Sequence, residues 1–207
     1  MPQTIPPLAF KNALVELVEL LPAVLGSPKR RIASYQRISA AYRRMGIATL
    51  LISGDPRDFY AYLSKSARAM VHFAEGADAD ERITSKGVAF LDAVACRDDE
   101  AARHLAAAFP RTAHPTREYE EDFLHVRTLM DLYTGADPAG LLAAWQKLAD
   151  ANPDPRLDVC KAIAARDQVA FDDAIAAATA PIAACAACCA ACASRSSETL
   201  PSSLGCV

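Results

Sequence analysis

The chain has 207 residues, 52% of them apolar, and a net charge of −3 at neutral pH. That length suits one well-buried core and is short for two. Alanine is prominent, glycine is scarce at eight residues, and no run alternates apolar with polar side chains, which sets aside a sheet-based fold and favours an all-α one. The charge is unevenly shared: residues 1–76 hold ten Lys and Arg against five Asp and Glu, a balance of +5 that leaves −8 for the rest, so the chain has a basic end and an acidic body.

The first seven residues are proline-rich, and Lys11, Glu16 and Glu19 interrupt the apolar residues behind them, so neither a signal peptide nor a spanning helix is expected there. Leu8–Leu25 reads as an amphipathic helix with Phe10, Leu14, Leu17, Val18 and Leu21 on its packing side and Pro22 ending or kinking it. Ser27-Pro28 starts a second helix that runs to Ser53 and closes at Gly54, with Ile32, Tyr35, Ile38, Tyr42, Met45, Thr49 and Ile52 facing inward. Asp55-Pro56-Arg57-Asp58 opens a third, ended by Gly76, whose inner face is Phe59, Tyr62, Leu63, Ser66, Met70 and Phe73. Residues 74–82 read as an exposed acidic loop, after which Thr84 is placed to cap the next helix.

Val88–Cys96 and Ala101–Phe109 form apolar helical runs around a turn at Arg97-Asp98-Asp99. Thr116–Ala151 reads as a pair of longer helices. Tyr119, Phe123, Val126, Met130 and Tyr133 make one stripe, and Leu141, Leu142, Trp145, Leu148 and Ala149 make the other. Between them Gly135 suits a left-handed helix end, Asp137 a cap and Pro138 a first helical position, a five-residue connection that sets the two helices antiparallel. Leu157–Ala165 repeats the pattern, turning at Arg166-Asp167 before Phe171 and Ile175. Turns near 97, 135 and 166 recur every 31 to 38 residues, as in stacked helical hairpins, but unequally and without a repeated consensus. The expected architecture is an irregular stack of antiparallel helical hairpins around a single core: one helical domain over 1–178, then an Ala, Cys and Ser-rich tail over 179–207 that is a short helix at most.

Several motifs admit a chemical and a structural reading. Cys185, Cys188, Cys189 and Cys192 fall at i, i+3, i+4 and i+7, one stripe of a helix; four sulfurs on one helix reach a metal from a single side, so small apolar filler is favoured over a metal site. Seven cysteines, an odd number, with no export signal fit reduced thiols in the cytoplasm. Glu121 and His125 stand one turn apart, a spacing more usual for a surface contact than for ligands. No nucleophile elbow, HExxH or glycine-rich phosphate loop occurs, and no catalytic residue, cofactor or metal is expected. Arg30, Arg37 and Arg44 repeat every seven residues beside Lys29, Arg31 and Arg43; this pattern can track phosphates, but a solvated face or one that meets the fold's own acids is favoured, which makes nucleic acid an unlikely partner. Glu75, Asp78, Asp80 and Glu81 in the loop, with Glu118, Glu121 and Asp122 at the start of the central helix, form the candidate acidic surface for a basic partner, although the helix dipole explains the second group on its own.

Three stretches, YLSKSARAMVHFAEG (62–76), YEEDFLHVRTLMDLYTGADP (119–138) and DPRLDVCKAIAARDQVAFDDAI (154–175), carry a resemblance over Phe59–Ala178 to the immunity protein 49 family, all-helical proteins of bacterial polymorphic toxin systems. The Ala and Cys-rich tail departs from that pattern, which raises the reading that it is a frameshifted end. The resemblance implies a cytoplasmic protein that is no enzyme and that neutralises one cognate toxin by occlusion, outside any membrane. A helical scaffold for another protein or peptide, or a nucleic-acid-binding regulator using the second helix, are the alternatives. The sequence sets no oligomeric state.

Overall fold

The computed structural model describes residues 5–180, and the tail cysteines Cys185, Cys188, Cys189 and Cys192 lie outside that range. The described residues contain helices and turns and no strand. They fall into two compact units that meet in sequence between Trp145 and Gln146.

The first unit begins with α1 (Ile5–Val24), α2 (Pro28–Ser53) and α3 (Pro56–Gly76). Each boundary has a local cause. Pro28 and Pro56 occupy first-turn positions where a missing N–H costs nothing, and the Asp55 carboxylate accepts from Arg57 N at 2.9 Å. Gly54 closes α2 in the left-handed conformation at φ 70°, its N–H bonded to Leu50 O at 2.8 Å. Two residues between α2 and α3 leave room only for a tight reversal. The cross-helix pairs read out that reversal: Gly46 lies against Phe59 and Tyr62, Ser39 against Ser66, Tyr35 against His72, and Ile32 against Gly76. Partner numbers fall on one helix as they rise on the other, so the helices are antiparallel. A Cβ added at Gly46 would sit 3.2 Å from Phe59 O, which shows how closely the two backbones approach.

On α1 the packed face differs from the expected one. Ala13 and Leu20 are buried and Phe10 and Leu17 pack with them, whereas Leu14, Val18 and Leu21 are exposed. Two apolar stripes share this helix, and the sequence pattern cannot say which of them a neighbour covers. Ile52 is likewise exposed, with Leu51 and Ser53 beside it in the last turn of α2.

The main core forms where α3 meets α4 (Ala89–Ala95), α5 (Asp99–Ala108) and α6 (Glu120–Thr134), through Met70, Phe73, Phe90, Leu105, Val126 and Met130. Burying six side chains of this size contributes about 2 kcal/mol each before conformational entropy is set against it. The residues after α3 are not a simple helix start: Thr84 opens a 3-10 turn, Thr84–Lys86, and its buried hydroxyl donates to Pro110 O at 2.8 Å instead of capping a helix. Between α4 and α5, Arg97 takes the left-handed turn at φ 59° and Asp98 caps Ala101 N at 3.1 Å. The helix expected from Thr116 starts at Glu120, with Tyr119 as its extended N-cap, 79% exposed and off the inner stripe.

Two buried charges hold these helices in register. Asp92 on α4 accepts from both Arg43 on α2, at 2.9 Å, and the Ser66 hydroxyl on α3, at 2.5 Å; Ser66 in turn meets Ser39 at 3.0 Å. On α6, Arg127 is 2% exposed, pairs with Asp131 one turn on, and donates to Ala106 O at 3.0 Å and Phe109 O at 3.3 Å, satisfying carbonyls at the end of α5. Arg111 adds a third contact to Asp131 at 2.9 Å.

Gly135 ends α6 at φ 78° and the Asp137 carboxylate accepts from Ala139 N at 2.9 Å, opening α7 (Ala139–Ala149) as the residue types imply. In the second unit, Asp154 caps α8 (Pro155–Ala165), Arg166 turns at φ 55°, and Asp167 accepts from Ala170 N at 3.0 Å as a further helical stretch, 168–180, begins. Leu157, Cys160, Ala162 and Ala174 are buried there.

Removing one member of a buried pair strands the other in a low-dielectric site, which costs about 3 kcal/mol or more. Arg127→Ala is therefore expected to lower unfolding stability by about that amount in a urea titration. The double variant Arg127→Met, Asp131→Leu is expected to lose less than the single one, and equal losses would assign the effect to packing rather than to charge.

Candidate partner-binding surface

The acidic residues singled out above come from two stretches of chain that the structure places side by side. Glu75 is exposed in the last turn of α3, and Asp78, Asp80 and Glu81 are exposed in the loop that follows. Part of this loop's charge is used locally: the Glu81 carboxylate accepts from Asp78 N at 3.2 Å, and Glu75 lies 3.4 Å from His72 Nδ1. The connector before α6 reaches back to the loop, where the Arg117 guanidinium donates to Asp80 O at 2.7 Å. Glu118 then ties the two stretches together. Its carboxylate accepts from Ser85 N at 2.8 Å and from His114 N at 2.7 Å, and the residue is half-buried.

Glu118 thus sits ahead of the helix it was expected to begin, and it acts as a clasp rather than as a group on offer. Glu121 and Asp122 do lie in the first turn of α6, half-buried, where carboxylates favour the positive end of the helix dipole. The outward-facing part of the predicted set is therefore Glu75, Asp78, Asp80 and Glu81.

Glu75 also belongs to a feature that the residue pattern did not reveal. A cleft of about 380 Å³ between α3 and α5 is lined by Arg68, His72, Glu75, Asp98, Glu100 and His104. Three carboxylates against one arginine make its walls acidic, and Arg68 is already 3.5 Å from Asp98. Asp98 and Asp99 were read only as part of a turn, and Glu100 was not singled out; the signal was present in their charge, but nothing in the local pattern said that α3 would close the other side. Tyr133 donates to Asp99 at 2.5 Å, and that hydrogen bond raises the phenol above its ordinary value.

The arginine row on α2 is mostly used within the fold. Arg37 and Arg44 both meet Glu16 of α1, Arg43 meets Asp92, and Arg31 donates to Val24 O at 2.9 Å. Among the described residues no group of three or more His, Cys, Asp or Glu is placed to hold a metal ion. No described helix is long and apolar enough to cross a membrane.

An all-α scaffold that spends its internal charges on joining helices and shows an acidic face is the class of protein these features define. The sequence profile of the Immunity protein 49 family matches residues 47–187, well over half of the chain, and the chain belongs to that family. The match extends past the resemblance noted over Phe59–Ala178 at both ends. No curated protein and no solved structure matches the chain.

The two described cysteines are poorly suited to chemistry. Burial pushes the Cys160 thiol up from 9.0 to about 12, with the Asp154 carboxylate adding to the rise, and burial likewise raises Cys96. At pH 8 iodoacetamide is expected to leave Cys160 unmodified in the folded protein and to label it after unfolding, as read by peptide mass. Below pH 9 the thiol is protonated in both states. Between pH 9 and about 12 the unfolded chain loses a proton that the folded one keeps, so stability falls as pH rises through that window. A Cys160→Ala variant is expected to show a shallower fall than the native chain.

Proposed function

We propose that this protein neutralises a cognate toxin by binding it and covering its working surface, and that the acidic face built by Glu75, Asp78, Asp80, Glu81, Asp98 and Glu100 meets a basic surface on that toxin. Membership of the immunity family over residues 47–187 carries the reading, and all six residues fall inside that stretch. Binding without catalysis is consistent with the way the helices are held: capped ends and buried ion pairs fix the surface in advance, so little ordering entropy is lost on association. Opposite net potentials raise the encounter rate, an advantage for a protein that must intercept a harmful partner before it acts. The expected site of action is the cytoplasm of the cell that makes the toxin. The second helix lends less support to a nucleic-acid role, since Arg37, Arg43 and Arg44 already have carboxylate partners.

Co-expression with the candidate cognate toxin is the direct test. The native chain is expected to restore growth, and a failure to do so with a toxin that is active on its own would overturn the proposal. Reversing Glu75, Asp78 and Glu81 to Lys is expected to weaken binding by about tenfold to a hundredfold, mostly through a slower association rate that depends less on salt. Asp122, Glu121 and Glu118 serve as controls; reversing Glu118 is expected to cost stability instead, because two backbone N–H groups lose their acceptor.

A further inference from the structure

A pocket of about 340 Å³ lies between α2, α3, the 3-10 turn and the start of α4, and no carboxylate of the described residues lines it. Gln36, Ser39 and Arg43 of α2 and Ser85 and Lys86 of the turn supply its polar lining. Met70, Val88 and Ala89 form an apolar wall.

The donors here are ones that the fold has left over. Asp92 takes the Arg43 guanidinium side-on, through Nε at 2.9 Å and Nη2 at 2.8 Å, which fixes the planar group and leaves the Nη1 N–H bonds without a protein partner. Lys86 is exposed and has no ion pair among the described residues, where the half-buried Gln36 amide and the Ser85 hydroxyl also make no hydrogen bond. Ser39 differs. Ser66 spends its single proton on Asp92, an ionised carboxylate that can only accept, so Ser39 donates to Ser66 and has no proton for a ligand. The carboxylates that touch the lining residues are both turned onto protein donors: Asp92 onto Arg43 and Ser66, and Glu118 onto the backbone N–H groups of Ser85 and His114.

We propose that this pocket binds a small organic oxyanion, a phosphate monoester or a carboxylate on an apolar body. Lys86 and the free edge of Arg43 meet the charge, Gln36 and Ser85 complete its hydrogen bonds, and Met70, Val88 and Ala89 lie against the body. A guanidinium already locked by a buried acid engages an oxyanion with little ordering cost. With Asp92 set against Arg43, Lys86 leaves the pocket positive. The volume is at the lower end for small-ligand sites and more than a bare inorganic oxyanion fills, which is why the ligand has an organic part. None of these residues belongs to the acidic face proposed for the toxin, and a ligand titration needs no toxin, so either reading can fail alone.

Phenyl phosphate and benzoate are the probes, titrated into the full chain at low salt and read by backbone amide NMR. The amides of Ser85, Lys86 and Ala89 are expected to shift, with a dissociation constant of about 1 mM or lower for the better probe. Whichever binds more tightly identifies the head group as phosphate or carboxylate. Inorganic phosphate and neutral benzyl alcohol are each expected to bind at least about tenfold more weakly. Lys86→Gln is expected to raise the dissociation constant about tenfold. Ala40→Phe, which adds bulk at an exposed lining position without touching a charge, is expected to abolish the shifts. Both variants keep the native helical circular dichroism, and Lys11→Gln, which removes an exposed cation from α1, changes nothing. Arg43 stays native in these tests, because replacing it strands Asp92. Absence of any shift with both probes at about 10 mM overturns the proposal. So does benzyl alcohol or inorganic phosphate binding as tightly as the organic anions, or an affinity indifferent to Lys86→Gln.

Discussion

Asp92 is the point on which the first unit turns. A carboxylate at 6% exposure is tolerable only when its charge is matched and its lone pairs are filled, and here three helices are needed to do it: α4 supplies the acid, α2 the Arg43 guanidinium, and α3 the Ser66 hydroxyl. Shift any of the three along its axis and a buried ion loses a partner. Apolar contacts among alanines and methionines cannot set register this sharply, since sliding by one turn replaces one small apolar group with another. The charge supplies the specificity that the alanine-rich core lacks. The Arg127 and Asp131 pair does the same between α5 and α6.

This division of labour explains what remains for function. Most arginines on the basic helix and several carboxylates on the acidic body are consumed in joining helices, and what is left over is a face of carboxylates around the loop after α3 and the cleft beside it. Glu118 shows the distinction most clearly. By composition it is one more acid in an acidic run, yet it stitches the connector to the 3-10 turn and contributes to the binding face only by holding it together.

How much of this could be read from the residues follows from how local each signal is. The ends of α2 and α3 and the start of α7 were legible, because proline, aspartate and glycine act within a residue or two of where they stand; α8 starts two residues before the expected Leu157, with Asp154 as its cap. The turns at Arg97, Gly135 and Arg166 were placed correctly for the same reason. Which of two apolar stripes on α1 would be covered was not legible, since both satisfy helical periodicity and only the neighbouring helix decides. The late start of α6 was hidden because Glu118 has two uses, a dipole partner in a first turn or an acceptor for distant backbone N–H groups, and the second depends on Ser85, 33 residues away. The cleft beside α3 was missed because its carboxylates come from segments whose proximity no periodicity records.

The narrow seam between α2 and α3 has one more implication. Gly46 lies against Phe59 and Tyr62, and Ser39 meets Ser66, so at these points the two rods approach closely. Most helical cores fail when something is taken out of them; this one is vulnerable to anything put in. Natural variation along the seam should therefore be confined to exchanges among the smallest side chains, leaving diversification to the outward faces, where a new opponent would have to be met.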